Sequence, residues 1–171
     1  MLLAEHDPQW AAEFRVVADD LRRIGDPSWT IEHIGSTAVP GIRVKPVIDI
    51  AVRCDAVRLD THLPALEEAG WRRGSGVRTH PVLIREQAGL RRHIAHFFAP
   101  EDWENAHQRG FRDGLRSHPD DARRYERVKI GAAASAPDRS YTDAKSAVVQ
   151  EVMGRARRAR GLPPVVVHDE A

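Results

Sequence analysis

The segment that most limits how this chain can fold is Pro46-Val47-Ile48-Asp49-Ile50-Ala51-Val52-Arg53, a β-branched run preceded by a stretch rich in glycine and proline. Such a run reads as a strand whose side chains alternate between two faces. The alternation puts Lys45, Val47, Asp49, Ala51 and Arg53 on one face and Pro46, Ile48, Ile50 and Val52 on the other. Aspartate is depleted from strands, and an ionised carboxylate among these apolar side chains is costly without a cation or donors beside it. The pattern leaves two readings open: a plain ion pair with Lys45 or Arg53, or a carboxylate that holds a metal or a substrate.

The neighbouring elements follow from local signals. Asp7 before Pro8 starts a helix, and Trp10, Phe14, Val17, Leu21 and Ile24 lay an apolar stripe that ends at Gly25-Asp26-Pro27. Residues 29–34 read as a second strand and 59–69 as a helix stopped by Gly70. Three short strands are expected around Trp71, over 80–85 and over 90–98, with Glu86-Gln87-Ala88-Gly89 turning between the last two. The last third is helical. Trp103, Ala106, Gly110, Phe111 and Leu115 share one stripe, Ala122, Tyr125, Val128 and Ala132 follow a Pro119 start, and Ser140 caps a helix over 141–160. This order predicts an α/β (α+β) fold, a mixed sheet flanked by helices with a helical C-terminal third. One domain is expected over 1–160, with a loose tail over 161–171.

Composition narrows the function classes. The chain has 171 residues, 42% hydrophobic and 30% charged, which fits a chain that folds by itself. Its 26 basic and 25 acidic side chains nearly cancel, which disfavours nucleic acid as the partner and makes any anion site local. The arginines at 155, 157, 158 and 160 resemble a nucleic-acid patch but read more readily as solvated charge. Cys54, the only cysteine, has no disulfide partner, and no targeting or membrane-spanning run is visible, so a cytoplasmic location is expected.

Gly35-Ser36, directly after a strand, offers flexible backbone and a hydroxyl, and reads either as a phosphate cradle or as an ordinary turn capped by Ser36 or Thr37. Glu32 on the preceding strand is a candidate second carboxylate. His96 is a candidate metal ligand or phosphate donor, or a hydrogen-bonded core residue, and His93 is a weaker candidate. Arg112, Lys129 and Lys145 on the C-terminal helices suit phosphate charge if they face a cleft, and solvent otherwise. Tyr141 either stacks on a base or packs.

The stretch His33-Ile34-Gly35-Ser36-Thr37-Ala38-Val39-Pro40-Gly41, followed by Lys45-Pro46-Val47-Ile48-Asp49-Ile50, resembles the signature of GrpB-type proteins, which are similar in fold to nucleotidyltransferases. Phe111-Arg112-Asp113, Leu115-Arg116, His118-Pro119, Tyr125, Lys129, Tyr141-Thr142 and Ala144-Lys145 extend the resemblance, which covers about residues 5–155. It implies a nucleotide or phosphorylated ligand on Gly35 and Ser36, and a divalent metal, Mg²⁺ or Mn²⁺, on Asp49. Lys45, Arg112, Lys129 and Lys145 would neutralise charge. A nucleotidyl or phosphoryl group would then pass to an acceptor. The chain departs from the wider superfamily at Ala51, where a second carboxylate usually shares the face of the first, and at His96, where an acid usually stands on a later strand. Those departures favour the alternative of a nucleotide-sensing or docking module that has lost metal chemistry.

Overall fold

The first helix, α1 (Gln9–Ile24), opens where the Asp7-Pro8 pair predicts, with the Asp7 carboxylate accepting from the Gln9 amide at 2.8 Å. The computed structural model describes residues 3–75, 79–134 and 139–166. After α1 come strands β1 (Thr30–Ile34) and β2 (Ile48–Arg53), joined through a short 3₁₀ turn over Ser36–Ala38. Helix α2 (Ala56–Glu68) starts three residues earlier than the apolar spacing predicts, because the Asp55 side chain accepts from the Arg58 amide at 2.8 Å and caps it there.

Strands β3 (Trp71–Arg73), β4 (Val82–Gln87) and β5 (Leu90–Phe98) follow. The β4–β5 hairpin turns on Ala88 (φ 51°) and Gly89 (φ 74°), two residues rather than the four expected. Successive positive φ angles match the right-handed twist of the strands they join. Helices α3 (His107–Ser117), α4 (Pro119–Ala134) and α5 (Arg139–Ala159) complete the chain. Ser140 and Ala132, assigned a cap and a stripe position from sequence, have side chains outside the described residues.

The sheet order is β1-β2-β5-β4-β3, with β2 and β5 parallel and the other neighbours antiparallel. One face is the main core. Leu21 and Val17 of α1, with Leu59, Leu63 and Leu66 of α2, join Ile48, Ile50, Val52 and Phe97 in one cluster. Registered partners share a face, so Glu32 with Ala51, Ile34 with Asp49, Ile94 with Asp49 and His96 with Ala51 all project to the opposite side. There Ile34, Ala51 and Phe98 form a second, smaller cluster with Trp103 and Ala106. The sheet face beside that cluster is left open. Among the described residues no helix is long and apolar enough to cross a membrane.

Candidate functional site

The open part of that face forms one wall of a cleft of about 890 Å³, and helices α3–α5 supply much of the other wall. Gly35, Ser36, Lys45, Asp49, His96, Lys129 and Lys145 all line it. Sequence alternation placed Lys45 on the strand with Asp49; in fact β2 begins at Ile48, and Lys45 reaches the cleft from the loop before it. Among the described residues Asp49 makes no ion pair with Lys45 or Arg53. Arg53 is exposed at the far end of β2, opposite Thr30. His96 Nε2 stands 3.9 Å from Asp49 Oδ1, and the Asp49 side chain keeps 26% of its surface exposed.

The turn and the acid are fitted to each other. Gly35 has φ 69°, a conformation that side chains rarely adopt, and a Cβ there would lie 2.3 Å from Asp49 Oδ2. Glycine is therefore required twice, once by the backbone and once by the carboxylate packed against it. Beyond Gly35, Ser36 Oγ accepts from Lys129 Nζ at 3.2 Å, and the same ammonium lies 5.0 Å from the Tyr125 ring centroid. Lys129 is buried, and Lys145 is half-buried on the same side of the cleft. Thr37 Oγ1 donates to the Val47 carbonyl at 3.0 Å and stands 3.1 Å from His33 Nε2. Burial pushes the His33 imidazole down to about 4 against the pull of the Asp49 charge, and its ring stacks on Phe14 with 4.9 Å between centroids.

His96 is itself held. Its Nδ1 lies 2.8 Å from His80 Nε2, and His80 Nδ1 lies 2.8 Å from Thr79 Oγ1. Burial, then the neighbouring His96 and His107, push His80 down to about 4. His80 lacks any local marker in the sequence; it reaches His96 because it stands two residues before Val82, whose register partner on β5 is His96. His93 faces the other way, toward the core, where its Nε2 lies 2.8 Å from Glu13 Oε1 on α1.

Two of the predicted site residues are engaged with each other away from the cleft lining. Glu32 accepts from Arg109 at 2.9 and 3.1 Å and from Arg112 at 2.8 Å. Arg112, buried, also bonds Asp113 and the His33 carbonyl, at 2.8 and 2.9 Å. Burial would raise the Glu32 carboxyl, but the two guanidinium groups hold it below its ordinary value. Burial would likewise lower Arg112, and Asp113 and Glu32 reverse that. Tyr141 lies where side chains are outside the described residues. Residues 161–166, expected as the start of a loose tail, turn back on α5: Arg157 Nε donates to the Pro163 carbonyl and Gln150 Nε2 to the Val165 carbonyl, each at 2.7 Å. Leu162, Pro163, Val165 and Val166 thereby line the cleft.

For a divalent cation, the donor set here suits one ion rather than two. Asp49, with His96 beside it, faces a cleft that the Gly35-Ser36 turn also lines, and a hard cation such as Mg²⁺ is commonly held by one or two carboxylates together with substrate phosphates. Ala51 cannot ligate, Glu32 is taken by arginines, and among the described residues no group of three or more His, Cys, Asp or Glu could hold a metal by itself.

Comparison with known proteins agrees with this architecture. A crystal structure of the conserved protein GrpB from Enterococcus faecalis superposes with a TM-score of 0.82 at 26% identity, covering 94% of this chain and 99% of that one. Terminal uridylyl transferase 4 from Trypanosoma brucei, with bound dUTP, is similar over 98% of this chain and 64% of its own, at TM-score 0.55 and 16% identity. The Cid1 poly(U) polymerase with MgGTP bound gives 0.51 at 17% identity, over 75% of this chain and 44% of its own. The fold is thus nucleotidyltransferase-like. By sequence, a UPF0157 protein of Halalkalibacterium halodurans is 35% identical over 161 residues, 90% of this chain and 81% of that protein. The glutamate-rich protein GrpB of Alkalihalophilus pseudofirmus is 30% identical over 164 residues, 90% of this chain and 94% of its own. The GrpB protein family model matches residues 1–155, and the chain belongs to the GrpB family.

Proposed function

We propose that the cleft binds a nucleotide or another phosphorylated small molecule together with one divalent cation, Mg²⁺ or Mn²⁺. Asp49 holds the cation and His96 stands ready as its neighbour. Gly35 and Ser36 receive phosphate, and Lys129, Lys45 and Lys145 offset its charge. The observation that carries the reading is the contact between Gly35 and the Asp49 carboxylate, which brings the small-residue turn and the acid to one place in one cleft. The likeness in fold to a uridylyl transferase with bound dUTP and to a poly(U) polymerase with MgGTP supports the ligand class.

The reaction this arrangement suits is transfer of a nucleotidyl or phosphoryl group to an acceptor, promoted by positioning and charge neutralisation. The cation would supply charge neutralisation at the transferring phosphate. The chain's own residues would orient it: Ser36 and Lys129 on the phosphate, with Asp49 beside the turn on the cation. A second reading, a nucleotide-sensing or docking module without metal chemistry, is favoured by Ala51 and by the arginine-locked Glu32.

Thermal unfolding with a panel of nucleotides, with and without Mg²⁺ or Mn²⁺, separates the two. Stabilisation that requires the cation, and that Asp49→Asn removes, supports the first. Stabilisation independent of cation supports the nucleotide-sensing form of the second, and none from any nucleotide or inorganic polyphosphate overturns the first and leaves only docking.

A further inference from the structure

We propose that His33 and Thr37 are positioning residues that clamp the Gly35-Ser36 turn in the shape that receives phosphate. The inference rests on the phosphate reading of that turn. The clamp spans three pieces of chain: His33 near the end of β1, Thr37 inside the turn, and Val47 just ahead of β2, two residues before Asp49.

Its polarity follows from chemistry. The Val47 carbonyl can only accept, so the Thr37 hydroxyl spends its proton there, 3.0 Å away. The lone pair of the same oxygen then accepts from His33, 3.1 Å away, and the imidazole must carry its proton on Nε2. Thr37 is 2% exposed and its bond to Val47 is buried, while the bond to His33 is partly buried. Phe14 of α1, stacked at 9° to the imidazole, sets the plane in which Nε2–H points.

Ser36 is thereby fixed from both sides. Gly35 before it is pressed against the Asp49 carboxylate, Thr37 after it is tied to His33 and Val47, and the Ala38 carbonyl that ends the turn accepts from Arg116 at 2.8 Å. Ser36 Oγ stays in the cleft, with Lys129 on it. A loop held this way pays less ordering cost when an anion arrives than a loose one does, so the gain appears in ligand affinity as well as in folding.

The test uses the full chain with Thr37→Val, Thr37→Ser, His33→Phe and His33→Gln. The readouts are amide hydrogen exchange at 36–38 without ligand, and calorimetric affinity for inorganic tripolyphosphate with Mg²⁺. Thr37→Val and His33→Phe are expected to speed exchange at 36–38 and to weaken tripolyphosphate about tenfold, the scale of one neutral hydrogen bond. Thr37→Ser keeps the hydroxyl and His33→Gln keeps a donor at the same reach, so both are expected to stay near the wild type. Thr37→Val and His33→Phe variants that unfold at lower temperature but keep wild-type exchange and affinity would overturn the inference, because a purely structural contact moves only the first. Wild-type protein that fails to bind tripolyphosphate overturns the phosphate reading and the inference with it. That result is told apart from a failed clamp by the exchange rates, which need no ligand.

Discussion

Glu32 and Asp49 sit on adjacent strands and project to the same face of the sheet, yet they have opposite surroundings. Glu32 is closed off by Arg109 and Arg112, one of them packed on Trp103 and the other buried against the β1 edge. Asp49 faces a cleft, beside a glycine turn, with a histidine 3.9 Å away and no guanidinium on it among the described residues. The first acid joins α3 to the sheet; the second is held by its backbone position while its charge stays available. Residue type alone does not tell an acid closed in ion pairs from one left facing a cleft. The difference is whether the neighbouring elements spend the charge.

The contrast is easiest to break at Glu32. Glu32→Ala leaves two guanidinium groups with a lost partner, and urea unfolding is expected to show a loss of about 3 kcal/mol, the usual scale for removing one side of a partly buried pair. Cation-dependent ligand stabilisation should survive below the new midpoint. Asp49→Asn is expected to do the reverse. Stability without ligand stays within about 1 kcal/mol, while the roughly 2.7 kcal/mol of stabilisation expected at ligand one hundredfold above Kd disappears, as read by thermal shift. A stability loss at Asp49 as large as at Glu32 would erase the distinction.

Gly35→Ala probes the seam between turn and acid. A side chain at φ 69°, with its Cβ 2.3 Å from Asp49 Oδ2, is expected to cost about 1–2 kcal/mol and to weaken phosphate ligands, measured by unfolding and calorimetry on one preparation. The smallest effect is the pH dependence of the Glu32 corner. Against its burial, Arg109 and Arg112 hold its folded pKa below the ordinary glutamate value of 4.5, so its contribution is complete above 4.5 and is lost as pH falls through the depressed value. The stability gap between wild type and Glu32→Gln should therefore narrow as pH drops from 5 toward 3.

Local signals made much of the fold legible. The Asp7-Pro8 start, the β-branched run around Asp49, and Pro119 each act within a few residues of themselves, and helices and strands appear where those signals put them. The Asp55 side chain caps α2, which therefore begins earlier than its apolar spacing suggests. Spacing alone brings together only the cleft residues that lie close in sequence, whereas His96, Lys129 and Lys145 enter through the family resemblance or as lone candidates and also line the cleft. Gly35 and Ser36 directly follow β1 and Asp49 stands near the start of β2, so their meeting follows from the antiparallel pair in which Ile34 is the partner of Asp49.

Contacts across larger spans left no trace in the pattern. Glu32 meets Arg109 and Arg112 across 77 and 80 residues, and His80 meets His96 only through the β4–β5 register. Residues 161–166 read as a tail because proline and glycine break helices; the carbonyl bonds to Arg157 and Gln150 that draw them back over the cleft depend on where α5 lies.

Crystals grown with Mn²⁺ and pyrophosphate would address the central claim most directly, because anomalous scattering places the metal without assuming a ligand set. Manganese against the Asp49 carboxylate, with a phosphate on Ser36 and Lys129, is the expected result. Manganese elsewhere, or phosphate bound away from the Gly35-Ser36 turn while Asp49 stays bare, would contradict it.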